Sequence, residues 1–176
     1  GDEGDHKSYS LWVEDLSKRT ELVVAEYVFL GGNQVSGVYF GREDLIIIER
    51  RADSTTYIHE LAHAADKYNY FPWEEELKEK LFSTFVSEEL SSLLLEGASG
   101  QKIRSELFAD AVLFIETKKC GSYFSSLDCH ALAVTTKNFV KDNALELSEL
   151  DSQVDYMTPD LIIDGPVTRA SNITPY

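Results

Sequence analysis

Positive charge is scarce in this chain. Sixteen lysines and arginines stand against 31 aspartates and glutamates in 176 residues, a formal charge of −15 at neutral pH. That balance argues against gripping a nucleic-acid backbone and against docking by charge on an anionic membrane. Apolar residues make up 43% of the chain, yet no run of them approaches the ~20 residues that a bilayer-spanning helix needs. No secretory signal stands at the start, and the first residue is Gly1 rather than Met, so the expectation is a mature form or a fragment. Cysteine is nearly absent: Cys120 and Cys129 lie nine positions apart. They either close a short local loop in an oxidising compartment or stay as two reduced thiols. Internal repeats and low-complexity segments are missing too. The length and composition fit one globular domain over residues 1–176.

Histidine is also rare, with four in the chain, but two of them sit in a telling place. Tyr57-Ile58-His59-Glu60-Leu61-Ala62-His63 reads H-E-x-x-H. Residues four apart project from one side of an α-helix, so His59 and His63 can offer two imidazole nitrogens to one metal ion. Glu60 points in a neighbouring direction, where a carboxylate can act on water without ligating. Asp53 and Ser54 are good N-cap residues, and no glycine or proline interrupts the chain before Phe71. Ile58, Leu61, Ala62 and Ala65 form a separate apolar stripe.

Around this helix the pattern predicts an α+β fold. Residues 1–50 read mainly as sheet after a helix near Ser10 to Arg19. Expected strands run over Leu22 to Leu30, Val35 to Phe40 and Leu45 to Ile48, with turns at Gly31-Gly32-Asn33 and Gly41 to Asp44. Residues 51–140 read as helical. Phe71-Pro72-Trp73-Glu74 starts a helix with proline in its first turn, and the apolar stripe from Leu77 to Leu94 carries it on to Gly97 and Gly100. Glu74, Glu75, Glu76 and Glu79 are expected to be a solvated helix start. A third helix spans about Gln101 to Lys118, and a fourth lies between Tyr123 and Phe139. Residues 141–176, with an acidic helix signal from Asp142 and the run Leu161-Ile162-Ile163, are expected to be a tail packing on the domain.

A hydrolytic zinc site takes three protein ligands and leaves a position for water. The third ligand is sought in Ser105-Glu106-Leu107-Phe108-Ala109-Asp110, where two acids one helical turn apart lie among apolar residues. Burying such carboxylates is costly unless a cation compensates them. Zinc supplies that cation; pairing with Arg104 or Lys118 is the competing reading. Glu106 has the reach of a ligand, while Asp110 suits the free N–H of a liganding histidine.

His59-Glu60-Leu61-Ala62-His63-Ala64-Ala65-Asp66, followed by Glu106-Leu107-Phe108-Ala109-Asp110, resembles the gluzincin metallopeptidases. The pattern is that of the anthrax lethal factor catalytic domain and the clostridial Pro-Pro endopeptidases, which carry H-E-x-x-H-A-x-D and a later E-F-F-A-E. The resemblance covers about Ile46 to Ile115. It implies a zincin-like fold, a small twisted sheet followed by a helical half with the motif helix between them. It further implies zinc held by His59, His63 and Glu106, Glu60 as general base, and Asp66 with Asp110 as carboxylates behind the ligands. It also suggests an extended peptide or protein substrate pairing with the strand at Leu45 to Ile48. A tyrosine that stabilises the oxyanion in those relatives has no counterpart in Glu96 to Ser105. Tyr123 and His130 are the candidates to replace it. The expected activity is zinc-dependent peptide-bond hydrolysis by a secreted or otherwise extracytoplasmic endopeptidase. The alternatives are an inactive metallopeptidase-like domain that binds a protein partner and, less in keeping with H-E-x-x-H, a structural zinc module drawing on Cys120 and Cys129.

Overall fold

A computed structural model describes residues 10–121, 124–145 and 168–169. The chain is α+β, with a small mixed sheet and a helical half. Helix α1 (Leu11–Arg19) leads into β1 (Glu21–Ala25), β2 (Val28–Leu30), β3 (Asn33–Val35), β4 (Gly37–Phe40) and β5 (Leu45–Glu49). The helices α2 (Ser54–Lys67), α3 (Glu74–Glu88), α4 (Ser92–Leu95), α5 (Gly100–Thr117) and α6 (Ser126–Asp142) follow, and β6 (Thr168–Arg169) comes last.

The main sheet has the order β1-β5-β4, with β1 parallel and β4 antiparallel to β5. Side chains alternate across it. Leu22, Val24, Tyr39, Ile46 and Ile48 enter the large core under α2, while Val38, Phe40 and Ile47 join Val28 in a smaller core on the other face. Both faces are covered, which is why Leu45-Ile46-Ile47-Ile48 is apolar without a break. The second sheet, β3-β2-β6, carries the β2–β3 hairpin and the short parallel β6.

Three expectations about elements are corrected. The runs 22–30 and 35–40 are each two strands rather than one, broken at Glu26–Tyr27 and at Ser36, because β2 and β3 leave the main sheet to form their own. The long helix from Phe71 to Gly97 is two helices, and it starts after Pro72, at Glu74. Glu89 closes α3 in the left-handed region (φ 52°), the Leu90 amide bonds back to the Phe85 carbonyl, and Ser91 caps α4. Finally, β5 is the middle strand, hydrogen-bonded on both edges, so it cannot take a substrate strand; among the described residues the edge strands of this sheet are β1 and β4, and of the two it is β4 that packs against the motif helix. The tail's acidic helix signal beyond residue 145 and Leu161-Ile162-Ile163 lie outside the described residues.

Helix α2 sits at the centre of the fold. Asp53 caps it by accepting from the Thr55 amide, an interaction worth about 1 kcal/mol. Every residue from Tyr57 to Asp66 is buried, because α1, α5 and the β4–β5 face all pack on it. The apolar stripe faces the core, and the ligand face is covered by α5.

Candidate metal centre

The cleft opens between the edge of β4 and the start of α5, with His59, Glu60 and His63 at its base. This half has a volume of about 760 Å³. A second half of about 610 Å³ continues past His59 and Glu60 towards Arg51, Thr55 and Gly121. Gly37 lets β4 lie this close to α2: a Cβ there would come within 2.6 Å of the Thr56 methyl.

Helix α5 brings Glu106 and Asp110 onto the motif helix. Glu106 Oε1 lies 3.0 Å from His59 Nε2, and Oε2 lies 3.3 Å from His63 Nε2. The two Nε2 atoms are themselves 3.2 Å apart. Ligand atoms around a tetrahedral ion with bonds of about 2 Å are separated by about 3.3 Å. Two imidazole nitrogens and a carboxylate, spaced in this way, are the donor set that zinc takes, so the residues fit the ion. The rear of each ring is held as well. His59 Nδ1 donates to Asp110 Oδ1 at 2.7 Å, and His63 Nδ1 lies in hydrogen-bond contact with Ser105 Oγ at 3.2 Å. Both Nε2 atoms thereby face the same point, next to Glu106. Glu60 Oε2 lies 3.9 Å from His59 Nε2, nearby but outside the converging trio.

The charges record the strain of this arrangement. Burial opposes an imidazolium at His59, yet the Asp110 carboxylate beside it, with help from Glu106 and Glu60, raises its pKa well above the ordinary value. Burial raises the Glu60 carboxyl, against the pull of the two histidines. Glu106 moves the other way: burial pushes it up, but His63 and the hydrogen bonds from both rings hold it well below the usual carboxylate range. Among the described residues no lysine or arginine pairs with Glu60, Glu106 or Asp110. Arg104, a candidate for that role, instead pairs with Glu79 and stacks on Phe82.

Asp66 lines the cleft but bonds to Lys78, not to a histidine. Glu74 completes that cluster, 3.4 Å from the same ammonium. The expectation of a solvated helix start is therefore corrected at Glu74, which is 1% exposed, whereas Glu75, Glu76 and Glu79 face solvent. His130 is exposed on α6 and lines neither half of the cleft. Tyr123 lies outside the described residues. Tyr39 is the one tyrosine that lines the described cleft, and its hydroxyl donates to Asp44. Cys120 and Cys129 are joined in a disulfide, which removes them as metal ligands. Sequence reading missed Ser105, whose hydroxyl has no periodicity to mark it beside Glu106. It also missed Lys78, whose i,i+4 spacing from Glu74 was the available signal.

No family model matches the chain, and neither does any curated protein or solved structure.

Proposed function

We propose that this chain is a zincin-like metallopeptidase domain that hydrolyses peptide bonds. The observation that carries the reading is the convergence of His59 Nε2, His63 Nε2 and Glu106 within 3.0–3.3 Å of one another, with Glu60 beside them at the base of an open cleft. The likeness of H-E-x-x-H-A-x-D and E-x-x-A-D to the gluzincins supports it. Zinc bound by these three residues would supply Lewis acidity, lowering the pKa of a water and polarising the scissile carbonyl. Asp110 and Ser105 keep both rings oriented for that ion. Glu60 takes a proton from the attacking water and returns it to the leaving amine; its raised pKa suits a group that must both accept and release a proton. An extended substrate lies along the free edge of β4, where main-chain hydrogen bonds hold it across the ligands. The disulfide suits an extracytoplasmic site of action.

One observation favours the second reading, an inactive domain that binds a protein partner. The tyrosine lining the described cleft has its hydroxyl donated to Asp44 rather than turned to an oxyanion. A single pair of measurements separates the two. Zinc-loaded protein should carry one zinc per chain and cleave members of a diverse peptide library. Glu60→Gln should keep the zinc and lose about 10²–10⁴-fold in cleavage. Folded protein that takes up no zinc overturns the metallopeptidase reading. Zinc-loaded wild type that cleaves nothing, and binds the same peptides as Glu60→Gln, favours the partner-binding domain.

A further inference from the structure

The disulfide and the metal centre meet at one glycine. Cys120 lies just beyond the C-terminal end of α5, and its bridge to Cys129 ties that point to the first turn of α6. Gly121 follows it and lies against Asp110. A Cβ on Gly121 would fall 2.3 Å from Asp110 Oδ1 and 2.8 Å from both Cγ and Oδ2. That carboxylate is fully buried. Its Oδ1 accepts from His59 Nδ1 at 2.7 Å, while its Oδ2 has no hydrogen-bond partner among the described residues. A lone hydrogen bond does not fix a carboxylate that could turn about its own axis. The Gly121 backbone closes the space into which it would turn.

We propose that Gly121, held in place by the Cys120–Cys129 bridge, is a positioning residue of the metal centre: it pins the Asp110 carboxylate against His59 and so keeps the His59 ring aimed at the ion. The metal part of this inference rests on the metallopeptidase reading; the hydrogen-bond part does not. A side chain at position 121 has two ways out. The carboxylate swings away and breaks its bond to His59, or the Cys120–Gly121 backbone withdraws, which the bridge resists. Gly121→Ala therefore does more damage with the bridge intact than without it.

The test uses two readouts on the whole chain. In metal-free, ¹⁵N-labelled protein the buried His59 Nδ1–H should give a slowly exchanging, far-downfield imidazole signal. The signal is assigned by its loss in Asp110→Asn. It should weaken or vanish in Gly121→Ala and in Cys120→Ala/Cys129→Ala, while the amide spectrum of the core persists. In zinc-loaded protein, chelator competition should read a loss of about 10–100-fold in affinity for Gly121→Ala, the range of an outer-shell partner. Removing the bridge should cost less, and Gly121→Ala should then add little. Should Gly121→Ala fail to fold, the bridge-less variant carries both readouts. The proposal is overturned if the His59 signal and the zinc affinity both stay at wild-type values in the variants. It is equally overturned if wild type shows no such signal. If wild type binds no zinc while the signal responds as expected, the metallopeptidase reading falls and the positioning role stands.

Discussion

Two buried groups of ionisable side chains lie one turn apart on α2, and they differ in how their charge is balanced. At Asp66 the answer is internal. Lys78 donates to Asp66 and lies 3.4 Å from Glu74, so the cluster contains its own cation. At His59 and His63 three carboxylates, Glu60, Glu106 and Asp110, gather around two imidazoles, and the described residues supply no lysine or arginine to them. Against the cost of burial, the Asp110 carboxylate, with Glu106 and Glu60, pushes His59 up, while the imidazoles hold Glu106 down. Isolated buried carboxylates are costly, and under the proposed function a bound cation would offset that cost at this site. The first cluster carries its own lysine, and the second, on the proposed function, would be completed by the metal.

Removing the resident cation should produce the largest effect on stability. Lys78→Met leaves Asp66 buried without its partner, and the expected loss is about 3–5 kcal/mol in denaturant unfolding. Zinc affinity in the folded variant should stay within about twofold of wild type, the margin for independent sites. A collapse of zinc binding at constant fold would break the comparison, since the two clusters would then act as one.

The second test works on the open cluster. Glu106→Ala removes a ligand and should lower zinc affinity by more than about 100-fold, whereas Asp110→Ala should fall within the 10–100-fold range of an outer-shell partner. Chelator competition measures both. If Asp110→Ala proves the more damaging, α5 presents its acids in the opposite roles.

Much of this contrast could be read from the sequence, and the unread part has a common cause. The motif helix carried its own marks in the cap at Asp53, the fourfold spacing of the histidines and an apolar stripe. Helix α5, expected over about Gln101 to Lys118, runs from Gly100 to Thr117, with its apolar residues on one helical period. The break between α3 and α4 left no such mark. Glutamate is an uncommon left-handed cap, and the leucines of the next segment continue the stripe across it. The unbroken apolar run of β5 marks a strand covered on both faces, but its central place between β1 and β4 depends on pairing partners set by the fold, so the substrate edge expected at Leu45 to Ile48 was misplaced. Ser105 and Lys78 belong to the same kind of information. Their partners, His63 and Asp66, are 42 and 12 residues away, and a hydroxyl or an ammonium looks the same in a list whether or not it meets them.

The last expected effect is a pH dependence, and it bears on how the Asp66 cluster is protonated. Burial and the neighbouring Asp66 carboxylate raise Glu74 to about 8, against the pull of Lys78. The unfolded chain returns it to the ordinary glutamate value of about 4.3. Between those values the folded state binds a proton that the unfolded state has released. Stability from Glu74 is therefore fully present below about pH 4.3 and is lost as the pH rises towards about 8. Glu74→Gln keeps the size of the side chain and removes its titration. Metal-free wild type and variant should be unfolded in denaturant at several pH values from 5 to 9. His59 and Glu60, both raised, contribute the same slope to each protein, so they cancel in the difference. The difference should move steadily in favour of Glu74→Gln as pH increases and level off above 8. A flat difference would mean that Glu74 keeps its charge throughout. Lys78 would then balance two anions rather than one, and the cluster at Asp66 would also be short of positive charge.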